Sequence, residues 1–224
     1  MSELSANPTG QAGFNEDLKS QTANNYEVGI KGLLGDQIDF DLTYFHIDTK
    51  NDLVPFEVDG QDFFRNAGSS TRDGIELWLR YQFNRQLSFR GSYTYSDFTY
   101  KDYIIGGDDF SGNQLPGITP HQIALQAAYQ NDNGLNIRLQ HRSIAEFFAN
   151  DSNTATAIEP SYQVTDVSLS YRIKGNSYTV VPFFGINNLF DTQYSDNVRI
   201  NAFGSRYYEP AAGINVYGLS LIHI

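Results

Sequence analysis

The chain has 224 residues, no cysteine, and 26 acidic against 15 basic side chains, so 15 − 26 gives a formal charge of −11. That length suits one large domain or two small ones, the lack of cysteine excludes disulfides and thiolate metal sites, and the acidic balance has the wrong sign for sequence-independent nucleic-acid binding. Aromatic residues make up 14% of a chain that is only 40% hydrophobic, mostly as 15 Tyr and 16 Phe, which places many rings on a polar background.

In chain order, residues 1–5 lack the basic and apolar regions of a signal peptide, so any export signal is expected outside this sequence. Residues 26–34 read as a first strand. Over 37–49, Ile38, Phe40, Leu42 and Tyr44 alternate with Asp39, Asp41, Thr43 and Phe45, the period-2 pattern of a strand with one apolar and one polar face. The same alternation sets Ile75, Leu77, Leu79 and Tyr81 against Glu76, Trp78, Arg80 and Gln82 over 72–83. Over 86–100 it sets Leu87, Phe89, Gly91, Tyr93 and Tyr95 against Ser88, Arg90, Ser92, Thr94 and Ser96. It continues at 122–129, at 134–147 and around Val167, Leu169 and Tyr171. Residues 178–187 and 213–221 read as two more strands, although Pro182 removes a ladder donor. No run approaches the roughly 20 apolar residues of a spanning helix; the longest, 180–186, is far shorter.

The connections also alternate. Tight links at 35–36, 84–85, 131–134 and 174–176 are interleaved with long ones over about 50–71, 101–117, 148–160 and 188–212, beyond the usual two to six residues and therefore candidates for function. Tight turns are thus expected on one side of a meandering antiparallel sheet and long loops on the other. Several strands reach ten residues or more, which suits a tilted strand crossing a hydrocarbon core, at about 9 to 11 residues, better than sandwich strands of about 5 to 6. Tyr44, Tyr81, Tyr93, Tyr95, Tyr129 and Tyr171 stand near the ends of the apolar faces, as girdle residues do in outer-membrane barrels. The pattern predicts an all-β fold, an antiparallel meander of about nine or ten long strands forming a partial transmembrane β-barrel. A soluble β-sandwich binding module and a passive diffusion porin share the alternation and stay open as alternatives.

Several phrases go further. Asn25-Tyr26-Glu27-Val28-Gly29, Asn66-Ala67-Gly68 followed by Arg72-Asp73-Gly74-Ile75-Glu76-Leu77, and Gly91-Ser92-Tyr93-Thr94-Tyr95 resemble the C-terminal barrel of TonB-dependent outer-membrane receptors. So do Leu115-Pro116-Gly117 with Pro120-His121, Asn187-Asn188-Leu189-Phe190-Asp191 with Tyr194, and Glu209-Pro210 followed by Gly213. Each phrase is weak alone, but they fall in the family's order from about residue 10 to 220. The resemblance implies an active-transport receptor of the bacterial outer membrane and not an enzyme, with no cofactor. Its barrel of about 22 strands is occluded by a plug, which TonB and its inner-membrane energising complex pull to release a metal chelate. The match looks closest to ferric siderophore receptors, for ferric citrate or hydroxamates. Membrane lipid and lipopolysaccharide are the further partners it implies, and nucleic acid is not one.

Nine strands is an odd count, and a single-chain bacterial barrel should have an even number. Residues 1–224 are therefore expected to be the C-terminal portion of such a barrel, without the plug and the N-terminal strands. If 213–221 is the closing strand, residues 1 to about 22 belong to an extracellular loop. Two departures stand out. Gly213-Ile214 replaces the family's usual Gly-Arg, and Leu221-Ile222-His223-Ile224 stands where an aromatic end is expected, so this tail is expected to be foreign to the native end.

Catalytic arrangements are not found. His46, His121, His141 and His223 lack ligand spacing, and no nucleophile elbow or phosphate loop occurs. Asp108-Asp109 and the run from Asp59 to Asp62 lack the ligand pattern of a calcium loop and read as solvated acids. No metal site is expected. Arg80, Arg90, Arg138 and Arg142 share the polar parity, so they should face the lumen, where guanidinium groups bind carboxylates and chelate oxygens or contact a plug. The long loops offer Tyr100, Tyr103, Phe110, Phe147, Phe148, Tyr194, Phe203, Arg206, Tyr207 and Tyr208, residue types enriched at binding hot spots. These loop residues could equally contact lipopolysaccharide or pack on one another. The expected substrate-binding set is Arg80, Arg90, Arg138, Arg142, Tyr103, Phe147, Tyr194, Arg206 and Tyr207, facing an anionic ferric chelate.

Overall fold

A computed structural model of the protein describes residue 7 and residues 15–59 and 61–223. The rest of 1–14, Gly60 in the acidic run from Asp59 to Asp62, and Ile224 of the tail lie outside the described residues. Nine long strands build the molecule: β1 (Thr22–Leu34), β2 (Ile38–Lys50), β3 (Ser69–Gln82), β4 (Leu87–Asp102), β5 (His121–Gln130), β6 (Leu135–Ile144), β7 (Tyr162–Tyr171), β8 (Thr179–Asn187) and β9 (Asn215–His223). Each pairs antiparallel with the next, and Ile173–Lys174 adds a two-residue rung against Thr179 and Val180. Among the described residues the order does not close: β1 pairs only with β2 and β9 only with β8, which leaves two edges of the sheet free there.

The tight turns follow from their residues. Gly35 takes a left-handed φ of 60° between β1 and β2. Between β3 and β4, Asn84 Oδ1 accepts the backbone N–H groups of Gln86 and Leu87, both at 2.8 Å, an Asx turn that replaces ladder bonds. Gly134, with φ 95°, closes the β5–β6 turn where a Cβ would stand 2.6 Å from the Arg172 carbonyl oxygen, so only glycine fits there.

The register carries one parity across the whole sheet. A single row joins Leu34, Ile38, Tyr81, Phe89, Ala127, Leu139, Val167, Ile186 and Val216 through successive cross-strand pairs. The adjacent row, on the other face, joins Asp39, Arg80, Arg90, Gln126, Gln140 and Asp166. A one-residue slip in any strand would exchange the faces of that strand, which is why the alternation pins the register. On the apolar face Val28, Ile30, Leu125, Leu139 and Phe184 are exposed, as side chains facing lipid are. Aromatic groups bound this face at both ends. Tyr81 stacks on Phe89 at 6.2 Å near the tight turns, while Tyr93 and Tyr95 pack on His121 at 6.1 and 5.3 Å near the long loops.

The region 50–71 differs from its expected loop. Leu53–Val58 and Gln61–Asn66 pair as a hairpin. Asp59-Gly60 between two apolar runs is a hairpin signal, but Pro55 interrupts the alternation that would have made it legible. The first strand also begins at Thr22 rather than at 26.

Sidedness can be tested by folding the intact protein into lipid vesicles. Arg at Leu77, Leu125 or Leu139 should cost about 2–4 kcal/mol near the bilayer midplane, and Arg at Glu76, Gln126 or Gln140 should be nearly neutral. Equal costs for the two sets would mean that the faces are wrongly assigned.

Candidate functional site

The polar face and the long loops meet at one end of the sheet. Along the face, Arg80 pairs with Asp39 at 3.3 Å. Arg90 stands between Arg80 and Gln126, and Arg138 between Ala128 and Ser168, with no carboxylate directly opposite either. Arg80, Arg90 and Arg138 all lie toward the tight turns. Arg142 lies toward the loops, where it donates to the Tyr194 hydroxyl at 2.7 Å with its guanidinium 5.1 Å from the centre of that ring. Tyr194 in turn stacks on Tyr162 at 4.8 Å. Trp78, Arg90, Ser92, Gln126, Gln140 and Arg142 line a shallow hollow beneath this rack. A roomier hollow lined by Arg85, Asn131 and Arg172 lies at the tight-turn end, away from the loops.

The loops are ordered by packing and by buried carboxylates. One apolar cluster joins Val54 and Ala67 of the hairpin region with Tyr100, Tyr103 and Leu115; a second joins Ala149 and Ala157 with Ala202 and Tyr207. Asp52, at the base of the hairpin, is buried and accepts from Gln21 Nε2, Ser70 Oγ and Arg72 Nη2, each at 2.6 Å. Buried Glu159 accepts the Ser195 N–H at 2.9 Å and its hydroxyl at 2.7 Å, which fixes the chain beside Tyr194. Asp151 is likewise buried and accepts the Tyr100 and Tyr103 hydroxyls at 2.9 and 3.0 Å.

Of the expected binding set, the structure brings Arg142 and Tyr194 together. Tyr103 and Tyr207 are buried within the two loop clusters. Burial, and next the charge of Asp151, push the Tyr103 hydroxyl well above its ordinary pKa, so it stays a hydrogen-bond donor. Phe147 is half-buried and bridges through its backbone to Glu159. Arg206 is exposed, its Nε 3.4 Å from the Phe203 carbonyl. Arg65, Asp52, Asp151 and Asn201 organise the loops yet carry no motif that would single them out, because their partners lie far away in sequence; Arg72 stands in a family phrase, but its bond to Asp52 is not legible there.

Comparison with known proteins is consistent in class. Residues 1–189 match the family model described as TonB dependent receptor-like, beta-barrel. The chain is 32% identical to the ferrioxamine receptor of Yersinia enterocolitica over 187 residues, covering 79% of this chain and 24% of that protein. It is 26% identical to the catecholate siderophore receptor Fiu of Escherichia coli K12 over 209 residues, covering 92% of this chain and 26% of that one. Among solved structures, the siderophore receptor PiuA from Acinetobacter baumannii superposes with a TM-score of 0.71 at 23% identity, over 90% of this chain and 28% of that chain. The chain thus spans about a quarter of the length of these curated relatives.

The Asp52 node yields a direct test. Asp52→Ala removes three hydrogen bonds and leaves a partly buried Arg72 guanidinium without its carboxylate, which should cost about 1–3 kcal/mol. The change should appear as faster proteolysis of 53–66 in the intact receptor, with the strands unaffected. Unchanged cleavage would show that the node does not hold the hairpin.

Proposed function

This chain belongs to the β-barrel family of TonB-dependent receptors, transport receptors of the outer membrane and not enzymes, and from that premise we propose that it forms the C-terminal wall of a receptor that takes up a ferric siderophore. In this reading the ligand enters between the long loops and reaches the Arg142–Tyr194 rack. A plug and the TonB complex, beyond this chain, drive its release, while the apolar face and its girdles contact membrane lipid and lipopolysaccharide. Arg80, Arg90 and Arg138, nearer the tight turns, line the route or face the plug.

The observation that carries the choice of substrate is the charge of the loops. Residues 51–68, 103–120, 145–161 and 188–214 hold twelve Asp and Glu against three Arg, so 3 − 12 gives −9 of the chain's −11. Two of those arginines are engaged, Arg65 with Asp151 at 3.6 Å and Arg199 with Glu209 at 3.0 Å. Asp108, Asp109, Glu146, Asp191 and Asp196 are exposed. A mouth of one sign repels like-charged ligands and concentrates the opposite kind within about a Debye length, ~8 Å at physiological salt. This favours a neutral or cationic chelate of the hydroxamate type over the anionic chelate expected from the arginines alone. The Arg142 guanidinium can donate to hydroxamate oxygens while an ammonium arm faces the acidic loops.

Growth of strains with the intact receptor as sole iron-uptake route tests this. Ferric trihydroxamates should support growth, more strongly at low salt, and uptake should stop without TonB although binding persists. Arg142→Ala or Tyr194→Ala should weaken binding about tenfold, the scale of a hot-spot residue. Growth on tricatecholates but not on trihydroxamates would overturn the charge assignment. Growth on cobalamin or a carbohydrate alone would overturn the siderophore assignment.

A further inference from the structure

The four long loops of this wall meet at one residue, Asp151, through its buried carboxylate and its backbone. Asp151 lies in the third loop with its side chain only 4% exposed. From the second loop and the end of the strand leading into it, Tyr103 and Tyr100 donate their hydroxyls to its two oxygens at 3.0 and 2.9 Å. From the first loop, Arg65 approaches the carboxylate at 3.6 Å and donates its Nε to the same Tyr103 hydroxyl at 2.8 Å, with its guanidinium 4.8 Å from the Phe56 ring centre. The backbone of Asp151 completes the set. Its carbonyl accepts from Asn113 Nδ2 of the second loop at 2.8 Å, and its N–H donates to Asn201 Oδ1 of the fourth at 2.9 Å. Asn201 reaches on to the Pro55 carbonyl of the first loop at 2.9 Å, across 146 positions of sequence.

We infer that Asp151 is a positioning residue that joins the four loops into one cap, so that a ligand meets a preassembled surface rather than four loops that order separately. None of the loops can swing away alone without leaving a buried carboxylate, a hydroxyl or an amide unpaired, and groups left so are costly. Networks of this kind are also stronger than their separate bonds. Preassembly matters for capture because ordering loops on binding takes free energy from the ligand. The part of this inference that concerns ligand capture rests on the receptor function proposed above; the coupling of the loops does not.

Hydrogen exchange on the intact, unliganded receptor in lipid separates the possibilities. Asp151→Ala removes both hydroxyl bonds and the Arg65 ion pair but keeps the backbone links; it should speed exchange by at least the order of tenfold that one lost charge-assisted hydrogen bond gives in 53–66, 103–117 and 148–160, and by less in 196–202, with the nine strands unchanged. Tyr103→Phe removes the bonds of its hydroxyl to Asp151 and Arg65, and Asn201→Ala those of its amide to the Asp151 N–H and the Pro55 carbonyl; each should speed exchange in the loops at both ends of the lost bonds, and they keep the inference testable should Asp151→Ala fail to assemble. Faster exchange confined to the mutated loop in each variant, or no change in the other three, would overturn it. With ferric trihydroxamate as probe, Asp151→Ala should slow association while Asp151→Glu restores part of it. Normal association alongside loosened loops would show that the cap does not serve capture, and a wild-type receptor that binds no trihydroxamate would count against the proposed substrate while leaving the exchange result decisive for the cap.

Discussion

Hydrocarbon offers no partner to a backbone N–H or C=O, and that constraint shapes everything in this chain. A segment that crosses lipid must satisfy its polar backbone within the protein, which leaves helices and closed sheets. With no apolar run long enough for a helix, the chain crosses as strands, and each strand must then offer one face to lipid and the other to the interior. The row from Leu34 to Val216 and its neighbour from Asp39 to Asp166 are the same strands seen from these two sides. Among the described residues, β1 and β9 each keep one unpaired edge, and the same constraint applies to it.

Outside the membrane the rule changes, because water can satisfy the backbone and nothing obliges the loops to be regular. They are nevertheless held in place, by two small aromatic and alanine clusters and by the buried carboxylates of Asp52, Asp151 and Glu159. Each carboxylate takes its donors from another segment of the chain. Many of the loop acids that remain are exposed, so the same composition that builds the loops also gives the mouth its negative field. Structure and ligand preference are coupled in this way: arginines that might have attracted anions are partly consumed in holding acids.

The strands were legible because period-2 alternation is local, and Tyr44, Tyr81 and Tyr129 mark the ends of the apolar face from sequence alone. The hairpin of 53–66 was hidden by Pro55. The loop interior was hidden for a different reason. Whether Tyr103 and Tyr207 face a ligand or a core depends on Asp151 and Ala149, residues about 50 positions away, and no spacing rule reaches that far. The arginines on the polar face could be assigned a side but not a height, so Arg142 could not be told from Arg80 before the register was known. The charge of the loops was readable by counting, but its meaning depended on which arginines were already paired.

The central claim is that one face of this wall meets lipid and the other lines a route that a ligand enters from the loops. These 224 residues contain no cysteine, so single cysteines placed among them, in an intact receptor with any cysteines elsewhere replaced, test it with a charged maleimide applied in outer-membrane vesicles. Cysteines at Ser92, Gln126 and Gln140 should label from water, and one at Asp196, beside the rack, should be protected by added ferric trihydroxamate. Cysteines at Leu77, Leu125 and Leu139 should not label. Equal labelling of the two sets, or reaction at the leucine positions alone, would contradict the account.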